Sequence, residues 1–428
     1  MNFSIARLQT IPEVAWERLP DAQPQIFDLP FPEQYRLILA SFITHGGGFA
    51  REMESLGNRS IEILTNCRPL QAKWAEEHGF RIDPTDSDWQ SNITLAQLRD
   101  FKPEIVYLQD IFCLPATIRK RLKELIPSIR MVIIQKGFPG ETRPLEGADM
   151  LVVSSPVLMD RYRHLKPHLV YHSFDQDILR HINCAQSTES QDLGLIFTGS
   201  VRVPELRYWV IRSLLSDGSL SAWVPRESTR HAKLGGVLNK RFLKKQVRRV
   251  IEGLGITHSN FDEIIPPYIN PRVADELADL DRSDTRLIVQ QRFGKIPSRP
   301  LNDEFPEQVH EPVFGLDYFQ LISRAKILFN LHADSAGFTV DNMKMFEATG
   351  MGTCLLTDSG HNLTDLFEPD YEIVTYSSMS ELQSKIKYLN DHGQVRLNIA
   401  RAGQKRALRE HTIKDRCGQL VDLIKSVR

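Results

Sequence analysis

The sequence predicts an α/β protein made of two doubly wound parallel-sheet domains. Three observations carry this. A chain of 428 residues is too long for one ordinary core. From residue 35 to residue 180, short apolar runs alternate with helical patterns, as strands joined by crossover helices do. A polar stretch, 181–192, then breaks the pattern, and the alternation restarts at 193.

Residues 1–34 carry prolines at 12, 20, 24, 30 and 32 and read as an irregular extension packed on the first domain. Residues 35–42 read as the first strand. They lead into Thr44, His45 and three glycines, then a helical pattern to Leu56. Glycine removes the side chain from the path of a ligand at such a turn. Strands follow at 59–64, 105–108, 130–135 and 150–153. Helices are expected at 69–78, 93–100, 116–125 and after Ser154 and Ser155. In an open parallel sheet the strand-end residues His45, Asp110, Gln135, Lys136, Ser154 and Ser155 converge. His45 with Asp110 is the combination with chemistry, because a carboxylate can hold an imidazole ready to take a proton from a hydroxyl. The plainer alternatives are that His45 only contacts a bound molecule and that Asp110 caps a strand end or helix.

Charge narrows the function classes. Lys+Arg number 53 against Asp+Glu 54, so no net basic field suits the chain to nucleic acid. The five cysteines, at 67, 113, 184, 354 and 417, form no CxxC pair, and reduced thiols are expected. No apolar run approaches 18 residues and the N-terminus lacks a signal-peptide core, so a cytoplasmic location is expected. The basic run 241–249 patterns as an amphipathic helix. It is either a solvated face or a point of peripheral membrane contact.

The second domain, 193–410, opens with a strand at 193–197 and a loop holding Gly199, Ser200 and Arg202. A helix with Arg207 follows. Residues 223–311 are broken by prolines, with a candidate strand at 287–289 and a polar, flap-like run at 291–311. A helical stretch with Tyr318, Leu321 and Ile322 comes next, then a strand at 326–330 ending on Asn330, His332 and Asp334. Gly337 and Phe338 lead to a helix carrying Lys344 and Glu347, three residues apart and so on one face. A strand at 353–356 follows. Helices are expected at 379–390, 395–410 and 412–427, and residues 411–428 read as a terminal helix that can cross back to the first domain.

This half carries a resemblance. The segments 315–318, 326–330, 346–350, 355–358, 367–374 and 409–416 resemble, in order, the nucleotide-sugar half of GT-B glycosyltransferases, in particular the CgeB-like branch of group 1. The similarity is clear over the last 120 residues or so and thins to an outline before them. It implies a GT-B fold, two Rossmann-like domains facing across a cleft, with the acceptor on 35–180 and the donor on 193–410.

The resemblance also implies roles. Glu347 would receive the ribose hydroxyls, and Lys344 would offset the charge on the departing diphosphate. Gly199, Ser200, Gly337 and Phe338 would offer backbone N–H groups to the phosphates, and Arg202 or Arg207 a charged contact. His45, oriented by Asp110, would be the base. No metal or other cofactor is expected. The family's retaining branch has an acid eight residues before its ribose-binding Glu. Here that position is Thr339, with Asp334 or Asp341 as substitutes out of register. The leading expectation is hexosyl-type transfer from a nucleoside-diphosphate sugar to a glycan, protein or small-molecule acceptor. The alternatives are a nucleotide-sugar epimerase or hydrolase, and a non-catalytic glycan-binding or scaffold protein. The base, sugar, acceptor and oligomeric state are not legible.

Overall fold

The computed structural model describes residues 2–43, 47–81, 86–139, 145–182, 191–201, 206–226, 299–333, 336 and 339–427. They form two six-stranded sheets, every paired strand parallel. The first contains β1 (Ser4–Gln9), β2 (Arg59–Leu64), β3 (Ile105–Leu108), β4 (Met131–Lys136), β5 (Met150–Val153) and β6 (His168–Leu169), in the order β2-β1-β3-β4-β5-β6. The second contains β7 (Leu193–Thr198), β8 (Leu220–Trp223), β9 (Val309–His310), β10 (Ala325–Asn330), β11 (Cys354–Asp358) and β12 (Val374–Tyr376), in the order β12-β11-β10-β7-β8-β9. Helices cover both faces, so β3 and β5 are buried along their whole length.

Three early expectations are corrected. Residues 35–42 are not a strand: they lie mostly in a helix, Phe31–Ala40, with Pro30 as N-cap and Pro32 in the first turn. Proline fits there because it lacks only an N–H that the first turn leaves unpaired anyway. Nor are residues 1–34 an irregular extension. They supply β1, hydrogen-bonded to both β2 and β3, and then short helices, Glu13–Glu17 just after Pro12 and Leu19–Ala22 with Pro20 in its first turn. The helix expected at 116–125 is two short ones, Ala116–Arg119 and Leu122–Leu125. The strand at 287–289 and the basic run 241–249 lie outside the described residues. The later part of the run 291–311 holds a helical turn, Leu301–Glu304, and β9.

The chain passes between lobes twice, side by side. Outbound, Phe174 donates its N–H to the His411 carbonyl, and inbound, Ile413 donates to the Phe174 carbonyl, both at 2.9 Å. The Phe174 ring lies so close to Gly350 that a Cβ there would stand 2.3 Å from it. After the return, the helix Ile413–Val427 seats Ile413, Cys417, Leu420, Val421 and Ile424 among Phe3, Ile5, Phe49 and Met53 of the first lobe. The lobes also meet at Gly315, where φ is +62° and the Ser41 carbonyl accepts the Leu316 N–H at 3.0 Å. No described helix is long and apolar enough to cross a membrane. The four described cysteines are buried and unpaired, as expected of reduced thiols.

Candidate functional site

In the second lobe, β10 is apolar from Ile327 to Phe329 and β11 from Cys354 to Leu356, and both then turn polar together. Their register pairs Asn330 with Thr357. The Asn330 amide donates to Thr357 Oγ1 at 3.0 Å, and its oxygen accepts from the Asn342 amide at 2.9 Å. Just beyond, His332 Nδ1 lies 2.7 Å from Asp358 Oδ1, both side chains buried. Its Nε2 accepts from the backbone N–H groups of Asp341 and Asn342, at 3.1 and 3.3 Å. A ring that accepts at Nε2 carries its proton at Nδ1, toward the carboxylate. His332 therefore ties the two strand ends to the start of the helix Met343–Gly350. Asn362 secures the same loop, exchanging hydrogen bonds with Val340 N–H and C=O at 2.9 and 2.8 Å.

That helix carries Lys344 and Glu347, both partly buried. Lys344 reaches Gly199, just past the end of β7: a Cβ there would stand 2.8 Å from Nζ. Gly199 has φ +121° and its N–H donates to the Trp223 carbonyl at 3.0 Å. Its contribution is therefore room for the lysine, rather than an N–H for a phosphate. Burial first, and the neighbouring Arg207 second, push the Lys344 ammonium down to about 8. Arg207 itself donates to the Ser200 carbonyl at 3.2 Å. Glu347 Oε2 accepts from the Tyr318 hydroxyl at 2.6 Å. Burial pushes the Glu347 carboxyl up, opposed by that hydrogen bond and by Lys344. Two cations and one carboxylate thus share the end of β7.

The first lobe touches the loop that starts this helix. Ser155 Oγ lies 3.2 Å from Thr339 Oγ1, and the Asn362 amide donates to the Tyr171 hydroxyl at 3.3 Å. Asp341 is buried at this contact, 5% exposed, and its Oδ2 has no hydrogen-bond partner. Burial pushes its carboxyl up, with His332 and the Ser155 and Thr339 hydroxyls acting the other way.

The structure brings together Lys344, Glu347, Gly199, Ser200 and Arg207. Asp110 is elsewhere engaged, accepting from Thr10 Oγ1 at 2.6 Å and from the Phe112 N–H at 2.7 Å, so it holds the loop after β3. His45, Arg202, Gly337 and Phe338 lie outside the described residues. Sequence reasoning missed the His332–Asp358 pair and the clamp at Asn362. The first follows only once β10 and β11 are known to be neighbours, since residues at the ends of two adjacent parallel strands come together. Among the described residues, no group of three or more His, Cys, Asp or Glu side chains is placed to hold a metal ion.

Residues 284–422 match the Glyco_trans_1_2 family, described as glycosyl transferase-like. No curated protein matches the chain in sequence. Among solved structures, HepE of Anabaena in complex with UDP-glucose is 10% identical with a TM-score of 0.52, covering 99% of this chain and 100% of that one. Sucrose-phosphate synthase of Thermosynechococcus elongatus is 10% identical at TM-score 0.51, covering 100% and 99%. An alpha-glucosyltransferase in complex with UDP-glucose and DNA is 11% identical at TM-score 0.53, covering 99% and 100%. The fold is GT-B, two Rossmann-like lobes, and the resemblance read from the C-terminal residues to the group 1 glycosyltransferases holds.

Proposed function

We propose that this GT-B chain, with its glycosyl transferase-like residues 284–422, moves a sugar from a nucleoside diphosphate to an acceptor hydroxyl, without a metal ion. One observation carries the reading: Lys344 and Glu347 stand on one helix at the end of β7, with Arg207 beside them and room made at Gly199. Glu347, steadied by Tyr318, receives the ribose hydroxyls. Lys344 and Arg207 face the diphosphate. As the bond from the anomeric carbon to phosphate breaks, negative charge gathers on the leaving nucleoside diphosphate, and cations already fixed in a partly dry site stabilise it. Those cations do the work a divalent ion would otherwise do. Ser200, Arg202, Gly337 and Phe338 complete the phosphate cradle. The acceptor oxygen bonds to the anomeric carbon as His45 takes its proton, and the product is a glycoconjugate or polysaccharide. UDP-glucose in two of the compared structures supports uridine nucleotides as the first donors to try.

A thermal-shift screen over UDP, GDP, dTDP, ADP and CMP tests this. One nucleotide at about a hundred times its Kd should stabilise the chain by ~2.7 kcal/mol. Glu347→Ala should abolish that shift, because a ligand hydroxyl loses its charged partner. If no nucleotide shifts the melting point, the donor reading is wrong.

A further inference from the structure

The first sheet holds a polar cavity that the donor site does not use. It measures about 50 Å³ and is lined in part by Arg7, Tyr107, Gln109, Gln135, His172 and Arg416. Its wall is rich in hydrogen-bond donors for a definite reason. Arg7 Nη2 donates to Gln109 Oε1, and the Tyr107 hydroxyl donates to Gln135 Oε1 at 2.7 Å. A guanidinium has no acceptor, so the Gln109 amide must turn its oxygen to Arg7. Each amide oxygen is thereby engaged once, and the NH2 of each glutamine is left to donate. Arg7 is 4% exposed, yet its Nε and Nη1 have no hydrogen-bond partner. Glu62 stands 3.6 Å from Nη1, but its oxygens accept from the Gln9 amide and the Ala50 N–H. Arg416 adds a second positive charge, its N–H groups directed to the carbonyls of Tyr171, His172 and Glu410 and to His411 Nδ1.

Beside the acceptors presented by neutral His172 and the Tyr107 oxygen, a wall holding two guanidiniums and two amide NH2 groups favours a ligand group that accepts several bonds. An ionised carboxylate is such a group, and its two oxygens match a guanidinium edge. The volume has room for a few waters or one carboxylate, not for a sugar ring. The cavity also borders the donor side, because Tyr171 in its lining is bonded to Asn362, which holds the loop before the Lys344 helix.

We infer that this cavity seats a carboxylate belonging to the acceptor, so that the acceptor is an acidic alcohol such as a uronic-acid unit. The inference rests on the transferase reading above. It names the class of acceptor and assigns Arg7, Gln109 and Gln135 to its acid group.

Calorimetric titration of the full chain tests it, using glucuronate, the uncharged methyl ester of glucuronate, and acetate as the smallest carboxylate, each with and without UDP. Glucuronate should bind saturably, the ester about tenfold or more weakly, and acetate should compete with glucuronate. Gln135→Glu, which adds a like charge, should abolish glucuronate binding. Gln135→Leu, which removes one donor, should weaken it. Melting curves check that both variants fold. Equal binding of acid and ester, no saturable binding of either carboxylate, or unchanged binding by Gln135→Glu would each overturn the inference. UDP binding is read in the same titrations: if UDP binds and glucuronate does not, only the acceptor assignment falls, whereas absence of any nucleotide binding removes the donor reading.

Discussion

The two sheets deliver polar groups to their carboxyl ends by different means. In the second lobe the buried middles of β10 and β11, Ile327–Phe329 and Cys354–Leu356, are apolar, and the charged groups of the site stand beyond them on a helix, at Lys344 and Glu347. In the first lobe charged groups sit inside the strands themselves, Arg7 on β1 opposite Glu62 on β2. Groups on a helix and its leading loop can adjust when a ligand arrives, and Lys344 can change its charge. Groups fixed in a buried ladder cannot, so they recognise one preset shape. A leaving group that gains charge during reaction suits the first arrangement, and an acceptor that must only be held suits the second.

The sharpest way to break this contrast is Lys344→Ala. It should lower kcat by about 10²–10³-fold with little change in the acceptor KM, as loss of one preorganised charge does. Steady-state kinetics with the donor found by the nucleotide screen would check it, and an unchanged kcat would remove the lysine from the chemistry.

The next effect concerns the joint between the lobes. Burial holds His411 neutral, down to about 4, with Arg416 donating to its Nδ1 and its Nε2 at 2.8 Å from the Leu366 carbonyl. The unfolded chain takes up this proton near pH 6.5, the folded chain only near 4. Stability is therefore complete above 6.5 and falls as pH drops toward 4, by roughly 3 kcal/mol for this group. Calorimetry from pH 7 to 4 should show the loss, and His411→Gln should reduce it, leaving the part due to His172, which burial also holds down to about 4.

A smaller loss is expected from Gly315→Ala. The φ of +62° and the Ser41 carbonyl oxygen, 2.3 Å from where a Cβ would stand, both resist a side chain. The cost is ~2 kcal/mol, relieved by parting the lobes. A lowered Tm together with a larger radius of gyration in small-angle scattering would show it, and no change in either would mean the lobes do not press there.

The smallest effect sharpens the role of charge. With the free Lys344 ammonium at about 8, the binding-competent fraction falls as pH rises. The Kd for the nucleotide should weaken about tenfold between pH 7 and pH 9 if only the ammonium form binds. The Lys344→Ala variant should show a flat profile over the same range.

Much of the fold was legible because buried parallel strands write themselves as apolar runs, as β3, β5 and β10 do. β1 was not, since Arg7 and Gln9 interrupt its apolar residues, and only the partners Glu62 and Gln109 make them tolerable inside a sheet. The run 35–42 misled for the opposite reason. It is apolar enough for a strand, and the proline at its upstream edge was the signal of a helix start. β8 is broken by Ser221 and β9 has only two residues, so neither writes an apolar run. Lys344 and Glu347 were readable from spacing on one helix, whereas the His332–Asp358 pair and the donor-rich cavity depend on which strands are neighbours. That order is set by crossovers and not by local sequence.

The return of Ile413–Val427 to the first lobe has a bearing on synthesis. Phe49 and Met53 leave the ribosome roughly 360 residues before the helix that covers them. Until Ile413–Val427 has been made, the first lobe presents an uncovered apolar face. The first lobe is thus not completed by vectorial folding of its own segment, and its apolar face stays open to misassociation until that helix docks.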